Sequence, residues 1–320
     1  MTRCLLALAI LLGLAGCGTR DPYELPPVGG VCPLVRVAEM PIATHSNLLF
    51  VQATIGQQPV TLLLDSGAER TLLTEAAVKR LGLPRDFEHA TRTFGIGGPT
   101  VSWDAKLPDG LVMGGTHFPV DRVTVGQFEI GPSADVDGLL GADILLAFDV
   151  DLDLRTGQVT FYHARRNCPN AAPPWTEAYL PIVGITTKRD RLLIPFQLDS
   201  VQGMAVLDTG AQLSSISERL AEQMGLAGDG LAADRTVMAR GAAPQQIAVH
   251  IHRFHELRVG PAVMQAPLMP VVPMSPGLGD ALVGTDFLRD RRIWLSFSTQ
   301  RMFVTSRASG PLLAVTRSLE

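Results

Sequence analysis

The sequence predicts a mostly-β protein of two duplicated lobes with one short helix each. Three observations predict it. The first is a repeat: "LLDSGAERTL" (Leu63 to Leu72) returns as "VLDTGAQLSS" (Val206 to Ser215), with Asp208 following Asp65 at an offset of 143. The same offset, without a gap, sets "GLLGAD" (Gly138 to Asp143) on "ALVGTD" (Ala281 to Asp286). It also sets "AAVKRLGL" (Ala76 to Leu83) on "RLAEQMGL" (Arg219 to Leu226) and "VDLDLRTGQVTF" (Val150 to Phe161) on "IWLSFSTQRMFV" (Ile293 to Val304). Four anchors in one register point to duplication. The second is composition: 46% hydrophobic against 18% charged residues excludes a disordered chain, and 23 prolines and 31 glycines, spread out, imply many turns between short strands. The third is length, since 320 residues exceed what one core usually organises.

The chain opens on an address. Arg3 precedes the apolar run "LLALAILLGLA", too short to span a bilayer comfortably, and small residues follow. This is a signal peptide. Its end, "LAGC" (Leu14 to Cys17), resembles the lipobox of bacterial lipoproteins, in which the cysteine is lipidated and becomes the mature first residue. An ordinary secretory signal is the alternative. Cys17 is then a membrane anchor, and Gly18 after it, rather than an aspartate, favours the outer membrane of a periplasm-facing lipoprotein. Removing Cys4 with the signal and lipidating Cys17 leaves Cys32 and Cys168. In an exported chain such a pair predicts a disulfide, the competing reading being two buried thiols.

Each half then reads alike. "NLLFVQATI" (Asn47 to Ile55) and "RLLIPFQL" (Arg191 to Leu198) alternate as strands, with "GQQP" (Gly56 to Pro59) and "DSVQG" (Asp199 to Gly203) as turns into the aspartates. "TEAAVKRLGL" (Thr74 to Leu83) and "SERLAEQMGL" (Ser217 to Leu226) have helical spacing, a hydroxyl residue near the start and Gly near the end. The organisation expected is a signal at 1–16, a tether at 17–31, a first lobe at 32–168, a linker at 169–179, a second lobe at 180–308 and a tail at 309–320. "RDRR" (Arg289 to Arg292) reads as a solvated turn.

The repeated aspartates carry the chemistry. Each follows an apolar strand and precedes a glycine, Gly67 or Gly210, whose missing side chain permits a tight turn and lets backbone N–H groups approach the carboxylate. If the lobes pack about a twofold, the two tips meet. Two carboxylates that close cannot both ionise cheaply, so they share a proton, one accepting from water while the other donates to a carbonyl oxygen. That is chemistry for hydrolysing amides without a covalent intermediate.

On these residues the chain resembles the retropepsin-like and pepsin-like aspartic proteases, whose motif Asp-Thr/Ser-Gly-Ala/Ser/Thr is followed downstream by two apolar residues and a glycine. The match covers both lobes, from about Leu48 to Thr305, and implies that each is a small β-barrel, the two related by a pseudo-twofold axis with the active site at their interface. The resemblance implies that Asp65 and Asp208 are the catalytic dyad and that Ser66 and Thr209 cross-bond beneath it. It also implies that Gly67, Ala68, Gly210 and Ala211 shape the turns, and that Asp143 and Asp286 are structural. A β-hairpin flap is implied too, and "TFGIGGPT" (Thr93 to Thr100), with Gly95, Ile96, Gly97 and Gly98, is similar to the glycine-rich retroviral flap. At the same offset "VMARGAAPQ" (Val237 to Gln245) is flap-like only in its glycine. The tyrosine of pepsin-like flaps is missing from the first lobe, which leaves Phe94, Ile96 or Trp103 as apolar cover.

The expected protein is a monomeric, lipid-anchored aspartic endopeptidase that takes a peptide or protein substrate and needs no metal or organic cofactor. The rival is a peptide-binding or scaffolding lipoprotein that kept the fold and lost turnover. A formal charge of -4 gives no reason to expect nucleic acid. "HIHRFH" (His250 to His255) sets His250 and His252 on one strand face, read as solvent-exposed histidines over a zinc site for want of a partnered cluster.

Overall fold

The computed structural model describes residues 33–305 apart from 90–91, 96–97, 127–135, 165–170, 188–190, 227, 241–245, 275–277 and 290. Among the described residues strands dominate, and they form one ten-stranded sheet in each lobe, a six-stranded sheet that the lobes share and a separate two-stranded hairpin. The hairpin that leads into each aspartate turns tightly. Leu48–Ile55 pairs with Gln58–Leu64 through Gly56 and Gln57, both at positive φ, the turn whose twist matches that of antiparallel strands. Its mate joins Leu192–Leu198 to Val201–Leu207 across Asp199 and Ser200, so the turn is shorter than "DSVQG" suggests and Val201 to Gly203 are strand.

The helices form where the caps predict. Thr74 accepts from Ala77 N at 3.1 Å to start Glu75–Leu81, and Gly82 ends it in the left-handed region. Ser217 accepts from Leu220 N at 3.1 Å to start Glu218–Gln223. Each lobe adds a one-turn helix directly after its downstream glycine, Ala142–Leu145 and Thr285–Leu288. Four residues are too few for apolar periodicity to reveal.

The shared sheet runs Leu34–Pro41, Gln158–Ala164, Asp149–Asp153, Arg292–Ser296, Arg301–Thr305, Tyr179–Val183, three strands from each half. At its centre Asp151 faces Trp294, its own equivalent at the repeat offset, so the pseudo-twofold axis passes between them. This sheet explains one departure from expectation. "RDRR" is a solvated turn only at Arg289, which is exposed: Arg291 is buried with its guanidinium over Phe287, and Arg292 enters the central strand and grips Asp151 with Nε at 3.0 Å and Nη2 at 2.7 Å. A buried carboxylate at the lobe junction needs such a fork. The stretch from Ala171 to Tyr179 packs onto the same sheet. Trp175 packs edge-on against Trp294 and Tyr179, lies under Arg292, and donates Nε1–H to Asp151 at 3.0 Å.

Candidate active site

Each aspartate stands at a strand tip because a third strand wedges in beside it. Gly138–Leu140 runs parallel to Leu62–Leu64 and antiparallel to Leu72–Leu73, and Asp65 N donates to Leu140 O at 3.0 Å. In the second lobe Ala281–Val283 lies between Ala205–Leu207 and Ser215–Ile216, and Asp208 N donates to Val283 O at 3.0 Å. The apolar "GLL" and "ALV" phrases are these buried strands. Beyond them the chain is stitched to the turn: Asp143 Oδ1 accepts from Thr71 N (2.9 Å) and Thr71 Oγ1 (2.7 Å). Asp286 Oδ1 accepts likewise from Ser214 N (2.8 Å) and Ser214 Oγ (2.7 Å). Both acids therefore hold backbone in place, as expected of them.

The two tips meet. Ser66 Oγ donates to Leu207 O at 2.7 Å and Thr209 Oγ1 to Leu64 O at 2.7 Å. The same oxygens accept from the opposite backbone, Ser66 N to Thr209 Oγ1 at 3.0 Å and Thr209 N to Ser66 Oγ at 3.1 Å. Four reciprocal bonds between fully buried hydroxyl residues lock the lobes in register. The glycines serve a closer purpose than the turn alone. A Cβ on Gly67 would overlap the Asp208 carboxyl, and one on Gly210 the Asp65 carboxyl. Only Gly lets each backbone approach the opposite acid.

Asp65 Oδ1 accepts from Gly67 N (3.0 Å) and Ala68 N (2.9 Å), Asp208 Oδ1 accepts from Gly210 N (2.9 Å), and each carboxyl lies against the glycine of the opposite turn. Burial first, then the Asp208 charge, pushes Asp65 up to about 8. Burial also raises Asp208, but Gly210 N–H, the Asp65 carboxyl, Ala211 N–H and the positive charge of Arg191 pull against it. Both carboxyls are thus raised by burial, and the two titrate as a pair that shares one proton.

With this geometry in place, a family model described as aspartyl protease is found to match the chain twice, over residues 51–144 and 194–287. The chain belongs to the aspartyl protease family. The two matches begin and end at the same 143-residue offset that the sequence repeat sets, so each lobe of this family member is one copy of the retropepsin-like unit. No curated protein was found to match the chain.

Of the flap residues, Gly95 and Gly98 face each other at the end of a two-stranded hairpin, Arg92–Gly95 with Gly98–Val101, while Ile96 and Gly97 lie outside the described residues. Trp103 is half-buried under the Arg85 guanidinium, 4.8 Å from its ring centroid. The second lobe holds more than a flap-like glycine: Arg235–Arg240 pairs with Gln246–Ile251 in a longer hairpin at the equivalent place. Polar residues on both strands hid it from an apolar-alternation reading. Cys17, Cys32 and Cys168 lie outside the described residues.

His250 and His252 are half-buried rather than solvated, and His252 Nδ1 sits 2.7 Å from Asp234 Oδ2. Among the described residues one group of three acidic or imidazole side chains could hold a cation, Asp86, Glu88 and His89, with ligand atoms within 4.8 Å of one another. Asp86 is already bonded to Glu88 N and His89 Nδ1. Thr71, Ser214, Glu69 and Arg191 were missed at the sequence level. The hydroxyl pair was within reach, because Thr71 and Ser214 also fall on the repeat offset.

Proposed function

We propose that the protein is an aspartic endopeptidase in which water held between Asp65 and Asp208 attacks the scissile carbonyl. The observation that carries this reading is the pair itself: two half-buried carboxyls, each against the glycine of the opposite lobe, at the meeting of two locked turns. The Asp208 carboxylate takes a proton from water as its oxygen bonds to the carbonyl carbon, and the Asp65 carboxyl passes its proton to the carbonyl oxygen. The tetrahedral diol then collapses as Asp208 returns the proton to the amide nitrogen, the C–N bond breaks, and Asp65 recovers its own. An extended peptide would lie between the lobes and pair its backbone with strand edges, with the hairpin of Arg92–Gly95 and Gly98–Val101 as its cover.

The test is incubation of the protein with a diverse peptide mixture from acid to neutral pH, with products read by mass spectrometry. Cleavage internal to the peptides supports the reading. No cleavage at any pH, together with retained binding of the same peptides, favours the silent binder.

Export and anchoring belong to the same proposal and rest on the sequence. Cys17→Ala is expected to move the protein from the membrane to the soluble fraction of its bacterial host and to abolish labelling by a fatty-acid probe. Retention of both in the variant would remove the anchor. Cys32 and Cys168 are proposed as a disulfide, which is supported by the pairing of Leu34 with Ala164, the strand ends just inside them. Losing either cysteine should cost about 3–5 kcal/mol by freeing a long loop in the unfolded chain. A melting temperature unchanged by reductant would count against the bond.

A further inference from the structure

The two half-sites match in motif and in their cross-bonds, yet two positions break the match. At the repeat offset Arg191 stands where the first lobe has Leu48, and Gln212 stands where the first lobe has Glu69. Leu48 behaves as its type predicts, buried with Phe50, Leu63 and Leu139. Arg191 is 4% exposed and leaves its own lobe. Its Nε donates to Gly67 O at 2.9 Å, and its Nη2 lies 3.0 Å from Glu69 Oε1. The Gly67–Ala68 peptide therefore links it to the dyad: the guanidinium holds the carbonyl oxygen of that unit, and the N–H of the same unit, on Ala68, donates to Asp65 Oδ1.

A buried guanidinium is costly unless it is paired, and a pair is no better for stability than apolar packing of the same volume, which is what the first lobe uses. A buried cation beside a proton-sharing pair has a second effect, because it favours the singly charged pair over the doubly protonated one. Its neighbour Glu69, 36% exposed at the side chain, partly offsets that field. Among the described residues the charged groups set around the pair are thus Arg191 from the second lobe, and Glu69 with the exposed Arg70 beside it from the first. Asp143 and Asp286 stand behind the two turns, bonded to Thr71 and Ser214.

We infer that Arg191 is a positioning residue delivered across the lobe interface, which holds the Asp65 turn and keeps the dyad singly charged down to lower pH than a symmetric site would, with Glu69 as its counterweight. The inference rests on the proteolytic reading for its consequence, since a singly charged pair is the form that activates water.

The experiment uses the full chain in three variants. Arg191→Leu, which copies the first lobe, is expected to shift the acidic limb of the kcat/KM profile upward by about one pH unit, the size expected for losing a nearby opposite charge. Glu69→Gln is expected to shift it downward, since the cation is then unopposed. Arg191→Lys keeps the charge without the planar fork, so the limb should stay while kcat falls. A residue that only stapled the lobes would lower activity in all three and leave the limb in place, which overturns the inference. Should Arg191→Leu fail to fold, the direction of the Glu69→Gln shift decides alone. The same titration is read without substrate by 13C NMR of γ-carboxyl-labelled aspartate, the dyad signals being those lost in Asp65→Asn and Asp208→Asn. If the parent cleaves nothing, the proteolytic reading fails, and these carboxyl shifts still uphold or overturn the role of Arg191.

Discussion

Asp65→Asn and Asp208→Asn each lower kcat/KM for peptide cleavage by at least about 10³-fold, since either change removes a group that must move a proton at the reacting atoms. The losses do not add in the double variant, because one water and one proton serve both acids. Activity surviving in either single variant would break the one-site mechanism. Stability moves the other way. A carboxyl raised in the folded state, as Asp65 is to about 8, contributes stability that is full below its unfolded value and is lost as pH rises through the folded one. Asparagine keeps an oxygen to accept from Gly67 N and Ala68 N but cannot ionise. The melting temperature of Asp65→Asn should therefore gain on that of the parent as pH rises from about 4 to about 8, while activity is gone. A constant gap across that range would show that burial does not raise the pair.

Thr209→Val is expected to be the most damaging isosteric change near the site. It strips the donor from Leu64 O and the acceptor from Ser66 N, both in the buried lobe junction. Two backbone groups left without partners cost about 2–6 kcal/mol together. The damage also reaches chemistry, because these bonds set how the two tips face each other. Thr209→Ser keeps the hydroxyl and is expected to retain both the melting temperature and most of kcat. Equal behaviour of the valine and serine variants in a denaturant titration would mean that the cross-bonds do not hold the lobes.

Much of this was legible because duplication repeats residues that share one physical job. Asp65 and Asp208, Gly67 and Gly210, and Ser66 and Thr209 sit at equal offsets, and each type has a narrow use at a strand tip. The wedge strands were legible only as repeated apolar phrases ending in glycine, because three residues are too few to show the period of a strand. The second hairpin was not, because Arg235, Thr236, Gln246 and His250 dilute the alternation of strands whose faces are both partly wet. "RDRR" misled for a related reason. Charge in a sequence reads as solvent, and only the position of Asp151 across the shared sheet turns Arg292 inward.

The sequence by itself determined the two copies, their turns and caps, and which residue types meet at each tip, because these follow from local spacing and from the repeat. Tertiary structure alone decided what one copy does to the other. The strand order of the shared sheet, the overlap that forbids a Cβ on Gly67 and Gly210, and the reach of Arg191 to Gly67 and Glu69 all join residues more than a hundred positions apart. A repeat predicts equal halves. The inequality at Arg191 acquires meaning only when folding brings its charge to the opposite lobe, where burial makes that charge felt by the shared proton.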